Sequence, residues 1–181
     1  MWGAQTRTSR QVIGKTAEDA LRKTLEDYGF MIKPTGQENW LPPEVHIGVR
    51  FEFADVMVRS VRFTPDFLAY HPNFPLAYWD SKANVTPNTP NFAVEKASLE
   101  EQIARMKKGE RVVVAFWEVD KTWHANWADK LVVARDMSAV RHLASGSHTP
   151  FVLVRKSSTL PLREFLNANY ISGPIGTARM I

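Results

Sequence analysis

The residues of this chain best placed to do chemistry are Asp66, Asp80 and Lys82. Residues 56–70 and 76–82 are rich in β-branched and aromatic side chains, and the stretch between them carries two prolines and an asparagine, which predicts a β-hairpin. If the hairpin closes on the loop 71–75, Tyr70 pairs with Leu76 and Asp66 faces Asp80. Facing residues of an antiparallel ladder lie about 4.5–5.5 Å apart, so two carboxylates there repel one another and call for a cation between them. Lys82 is two residues past Asp80, which puts its ammonium on the same face, while Trp79 and Ser81 point to the other.

Such a patch suits phosphodiester hydrolysis. A divalent ion held by carboxylates polarises a phosphoryl oxygen and acidifies a water, and hard oxygen ligands favour magnesium or manganese. The lysine has three roles open to it: orienting the attacking water, helping to deprotonate it, or stabilising charge in the transition state. The alternative is a surface ion pair of Lys82 with either acid, with the hairpin register shifted by a bulge.

The surrounding pattern supplies the elements. Ala17, Leu21, Leu25 and Tyr28 form an apolar stripe that predicts a helix over 16–28, with Thr16 as its cap, Asp19 in its first turn and Gly29 at its end. Leu99, Ile103 and Met106 predict a second helix over 94–108, closed by Gly109. Residues 111–119 read as a buried strand, 131–134 and 151–154 as further strands, and 162–168 as a closing helix. The order helix, hairpin, helix, strand predicts a single α/β domain, a mixed central sheet flanked by helices, with a core over 14–119 and an extension over 120–181.

Pro65-Asp66, followed after the hairpin by Asp80-Ser81-Lys82, resembles the signature of the PD-(D/E)XK, or restriction-endonuclease-like, nucleases. The resemblance covers residues 14–119, because that family's core has the same order of elements. The segment from Gly14-Lys15-Thr16-Ala17-Glu18 to Gly29-Phe30 is also similar to the opening helix of Holliday-junction resolvases. The resemblance implies a metal-dependent DNA endonuclease, with Asp66, Asp80 and Glu18 as ligands to one or two magnesium or manganese ions and Lys82 assisting the water or the transition state. It implies Gln102 or Lys96 of the second helix as an accessory residue. The rival readings are a dimeric junction-cutting resolvase and a non-catalytic DNA-binding or assembly protein on the same fold; RNA also stays open as a substrate.

Composition narrows the alternatives. The 181 residues include no cysteine, which excludes a thiol nucleophile, disulfides and thiolate zinc sites. Neither a secretory signal nor a membrane-length apolar run is legible, so a cytoplasmic protein is expected. The net charge is +4, and from Lys130 onward seven bases face only Asp136 and Glu164, a balance that suits a polyanion. The histidines 46, 71, 124, 142 and 148 lack the paired spacing of a zinc site, His124 reads as lying in a polar loop, and the serines 145 and 147 have no partnered base. Trp123 and Trp127 could stack on bases, whereas Trp117 reads as core. No glycine-rich phosphate loop is present. The stretch 31–60, with the spare carboxylate Asp55, exceeds what the minimal core requires.

Overall fold

The computed structural model describes residues 3–36, 56–84, 89–138 and 150–170. Asp55, His46, His142, His148 and the serines 145 and 147 lie outside the described residues, as does most of the stretch 31–60.

Helix α1 spans Gly3–Asp27, so it begins well before the expected start. Thr16 is therefore not its cap: the hydroxyl donates to the Val12 carbonyl one turn back, at 2.8 Å. The expected stripe is buried, with Ala17, Leu21 and Leu25 at 0% exposure. The helix ends as its glycine demands. Gly29 adopts φ +88°, its N–H reaches the Glu26 carbonyl at 2.8 Å, and Phe30 N–H reaches the Leu25 carbonyl at 3.0 Å.

Strand β1 (Met31–Pro34) follows, and then helix α2 (Val56–Arg62). A strand was expected over this second stretch because of its valines. Tertiary contacts override that weak preference: Arg59 pairs with Glu100, Arg62 pairs with Glu95, and Arg105 donates to the Ser60 carbonyl at 2.8 Å. Both α2 arginines also fall in its last turn, where the helix dipole favours cations.

The hairpin is formed by β2 (Phe67–His71) and β3 (Phe74–Ala83). Phe67 pairs with Trp79, Leu68 with Tyr78 and Ala69 with Ala77, the register expected from sequence. The turn is tighter than expected. His71 pairs with Phe74, Pro72 and Asn73 form the loop, and the odd residue is absorbed by an irregularity between Ala69 and His71.

Next come β4 (Asn91–Glu95) and α3 (Lys96–Lys107). The helix starts two residues later than its periodicity suggested, because Val94 and Glu95 are drawn into pairing with β8 (Phe151–Arg155). Gly109, at φ +94°, closes α3. Strands β5 (Val112–Trp117) and β6 (Trp123–Trp127) follow, then β7 (Val133–Asp136), β8, the short β9 (Leu160–Pro161) and helix α4 (Leu162–Asn169).

The strands make a six-stranded mixed sheet in the order β1-β2-β3-β5-β6-β9 and a three-stranded sheet in the order β4-β8-β7. Only β3 and β5 pair in parallel in the larger sheet, and α3 lies in the crossover between them. Strand β5 is buried on both faces. Val113 and Ala115 join a core with α1 and α4 residues, whereas Val112, Val114 and Phe116 join a core with Leu99 of α3 and with Phe92 and Val152 of the small sheet. The architecture is thus a central mixed sheet flanked by helices.

Candidate active site

Alternation along β3 divides its residues between those two cores. Trp79 faces α1 and α4, so Asp80 and Lys82 face the side covered by α3 and the small sheet. Asp80 is only 4% exposed. Its Oδ2 lies 2.7 Å from the Lys82 ammonium, an ion pair within one strand at a spacing of two residues.

Asp66 stands one residue before β2. Its carbonyl accepts from the N–H groups of Thr35 at 2.8 Å and Gly36 at 3.3 Å, and the Thr35 hydroxyl donates to the Pro65 carbonyl at 2.7 Å. The backbone of Pro65-Asp66 is therefore clamped by the end of β1. The side chain reaches across to β3, where Oδ2 accepts from Ser81 N–H at 2.7 Å and from the Ser81 hydroxyl at 2.6 Å. Ser81 was expected to play no part here. It lies beyond the last β2 pair, so its N–H has no backbone acceptor on that side and the Asp66 carboxylate takes the place of one.

Three charges act on Asp80 besides its surroundings. Burial is the largest influence and pushes its pKa up to about 6; Lys82 opposes that rise, and Asp66 and then Glu95 add to it. Burial also works against the Lys82 ammonium, yet the negative charges of Asp80, Asp66 and Glu95 outweigh it and raise the lysine above its ordinary value. Lys82 is thus held protonated. Glu95, at the junction of β4 and α3, is a member of this electrostatic group that the sequence pattern did not single out; its carboxylate is 3.4 Å from Arg62.

The remaining expected residues lie as follows. Glu18 sits on α1 with a side chain only 14% exposed, paired with Lys15 at 2.9 Å. Among the described residues, no three histidine, aspartate or glutamate side chains gather as a ready-made metal cluster, so Glu18, Asp66 and Asp80 are not preassembled. Gln102 is buried rather than exposed, and its amide donates to the Phe63 carbonyl at 2.9 Å, tying α3 to the end of α2. Lys96 is turned toward Asp136 of β7, at 2.7 Å.

His124 lies in β6 and not in a loop. It shares a rung with Phe116 of β5 and Lys82 of β3, which places it on the Lys82 face. Its Nε2 is 3.3 Å from Glu118, which also pairs with Lys156, and its Nδ1 is 3.4 Å from the Thr159 hydroxyl. Burial, and then Lys156, lower its pKa, so the ring is neutral at pH 7. Between this group and Lys82 stand the stacked rings of Phe92 and Phe116, 4.3 Å apart. Trp123 is buried and stacks on Trp117, and Trp127 packs on Phe74 and Phe165, so these rings belong to the core. His71 is held between Phe30 and Tyr170.

No protein-family description matches the chain, and no curated protein matches it. Among solved structures it is similar to Hjc of Archaeoglobus fulgidus, a Holliday junction resolvase from an archaeal hyperthermophile. The TM-score is 0.49 and the identity 13%, over 83% of this chain and 93% of that one. At that level the reading of the site rests on its own residues.

Proposed function

We propose that this chain is a divalent-metal-dependent DNA endonuclease whose centre is Asp66, Asp80 and Lys82. The observation that carries the reading is the buried Asp80, paired with the part-exposed Lys82 and within electrostatic reach of a second, fixed carboxylate, Asp66. Burying an ion pair costs several kcal/mol per ion before its attraction is counted, roughly enough to cancel the gain, and like charges nearby worsen the balance. A surface ion pair would show none of this. The resemblance of Pro65-Asp66 and Asp80-Ser81-Lys82 to the PD-(D/E)XK signature points to the same chemistry.

The donor set fits a hard divalent ion. Asp66, Asp80 and Glu95 carry three negative charges within electrostatic reach of Lys82, and burial holds Asp80 up to about 6 against the pull of Lys82. Asp66 and Asp80 would hold magnesium or manganese, and Glu18 of α1 is the further ligand that the resemblance implies. When bound, the ion would supply Lewis-acid polarisation of the phosphoryl group and neutralise its charge. The protein's own residues do the rest. Ser81 and the Thr35 clamp fix the Asp66 carboxylate in one orientation, so little reorganisation is needed at the moment of reaction. Lys82, which the neighbouring carboxylates favour as an ammonium, would donate to a negatively charged oxygen of the transition state.

Incubation with plasmid, linear, single-stranded and branched DNA, and with an RNA of the same lengths, tests the reading. Cleavage of at least one DNA form with magnesium or manganese and none in EDTA is expected. Undiminished cutting in EDTA, or cutting of RNA alone, contradicts it.

A further inference from the structure

Away from the Asp80 group, an open recess of about 440 Å³ lies where β6, β8 and β9 meet, and Lys130 and Arg155 line it. Among the described residues no carboxylate lines it. Arg155 makes no ion pair with a described residue, and Lys130 only approaches its neighbour Asp129, at 3.9 Å. Both cations are exposed. Ser157 adds a hydroxyl, and Val132 and Leu160 give the cavity an apolar wall. The walls are fastened together: Asn126 donates to the Ser158 carbonyl at 2.7 Å, Val132 N–H to the Ser158 hydroxyl at 3.1 Å, and Arg155 N–H to the Val132 carbonyl at 2.8 Å. A recess with two exposed cations, Arg155 and the loosely paired Lys130, a hydroxyl and an apolar wall matches a sugar-phosphate unit, whose anion and ring need those two kinds of surface.

Its position bears on what occupies it. Asn126 lines the cavity and shares a rung with Val114, which shares one with Asp80. Asn126 and Asp80 therefore stand on one face of the sheet two strand spacings apart, roughly 10 Å. Successive phosphates of one strand advance about 3.4 Å along a duplex axis, so a strand cut at Asp80 presents other phosphates at this range.

We propose that this recess is a phosphate subsite, in which Lys130 and Arg155 grip the nucleic-acid backbone a few nucleotides from the bond that is cut. The choice of nucleic acid as occupant rests on the nuclease reading; the recess and its charge do not.

The test is binding without catalysis. Fluorescence anisotropy in EDTA measures the affinity of the full chain for a labelled duplex and a labelled four-way junction across a range of salt concentrations. The double variant Lys130→Ala/Arg155→Ala should bind about tenfold more weakly at moderate salt, and the slope of log affinity against log salt should fall by nearly two. The charge-matched double variant Lys107→Ala/Lys108→Ala, at the far end of α3, should keep the slope. Equal losses in both variants, wild-type binding by the first, or no DNA binding by the wild-type chain would each overturn the proposal. So would displacement of DNA by micromolar inorganic phosphate, which would assign the recess to a free anion. If the wild type binds with the expected slopes yet cuts nothing in any metal, the nuclease reading fails and the subsite stands.

Discussion

Two polar groups share one face of the larger sheet and differ in burial. Around Lys82 gather Asp80, Asp66 and Glu95, an excess of negative charge, with Asp80 pushed up to about 6. Around Glu118 gather Lys156 and the neutral His124, and the nearby Asp120 accepts from Thr122 N–H at 3.0 Å and from its hydroxyl at 2.6 Å. With Arg62 counted beside Glu95, the first group has three acids to two bases among the described residues and the second, with Asp120, two acids to one; what separates them is that Asp80 is buried whereas Glu118 is part-exposed. Proximity of ionisable side chains thus does not by itself mark a site; the buried carboxylate on a clamped strand is the feature on which the proposal rests.

The largest effect should separate the two groups by activity. Asp80→Asn should slow metal-dependent DNA cleavage by about two to three orders of magnitude, since it removes a charged ligand at nearly constant shape. Glu118→Gln should leave the rate within about threefold and instead lower stability by roughly 1 kcal/mol, because it removes the charge that pairs with Lys156. A cleavage loss in Glu118→Gln as deep as in Asp80→Asn would erase the distinction.

A smaller effect lies in the pH dependence of metal-free stability. Asp80 has a folded pKa of about 6 against an ordinary 3.8, so the folded chain binds this proton more tightly than the unfolded one. Its contribution to stability is fully present below 3.8 and is lost as pH rises through 6. The difference is on the order of 3 kcal/mol at most. In EDTA, the melting temperature of the wild type relative to Asp80→Asn should therefore fall between pH 5 and pH 7.5. A relative rise would show that Asp80 is stabilised as an anion, as in the Glu118 group.

The smallest effect concerns Ser81. Ser81→Ala removes one of the two hydrogen bonds that orient Asp66, and one bond to a charged group is worth about 1.5–3 kcal/mol. Because the Ser81 N–H remains, cleavage should fall by about tenfold and not more, with Ser81→Thr restoring most of it. An unchanged rate would mean that the backbone clamp from Thr35 alone positions the carboxylate.

The hairpin register was legible before any coordinates. The constant sum of facing numbers holds from Phe67 to Ala69, whereas Asp66, expected opposite Asp80, turns its carboxylate to Ser81. The terminal glycines of α1 and α3 were equally legible, since φ values of +88° and +94° are costly for other residues. What escaped was decided by distant partners. Residues 56–62 look like a strand and fold as a helix because Glu95, Glu100 and Arg105 hold their polar side. Val94 and Glu95 look helical and are taken by β8. The role of Ser81 depends on where β2 begins, a boundary that no periodicity marks, and Glu95 joins the site only through the β4–α3 junction.

Divalent-ion binding tests the central claim most directly. Calorimetric titration of manganese into the metal-free wild type, Asp80→Asn and Glu118→Gln, each confirmed folded by its melting temperature, reads the site without requiring turnover. The wild type and Glu118→Gln should bind manganese with the same affinity, and Asp80→Asn should bind it at least tenfold more weakly. Equal binding by all three, or loss confined to Glu118→Gln, would contradict the assignment of Asp66, Asp80 and Lys82 as the metal-dependent centre.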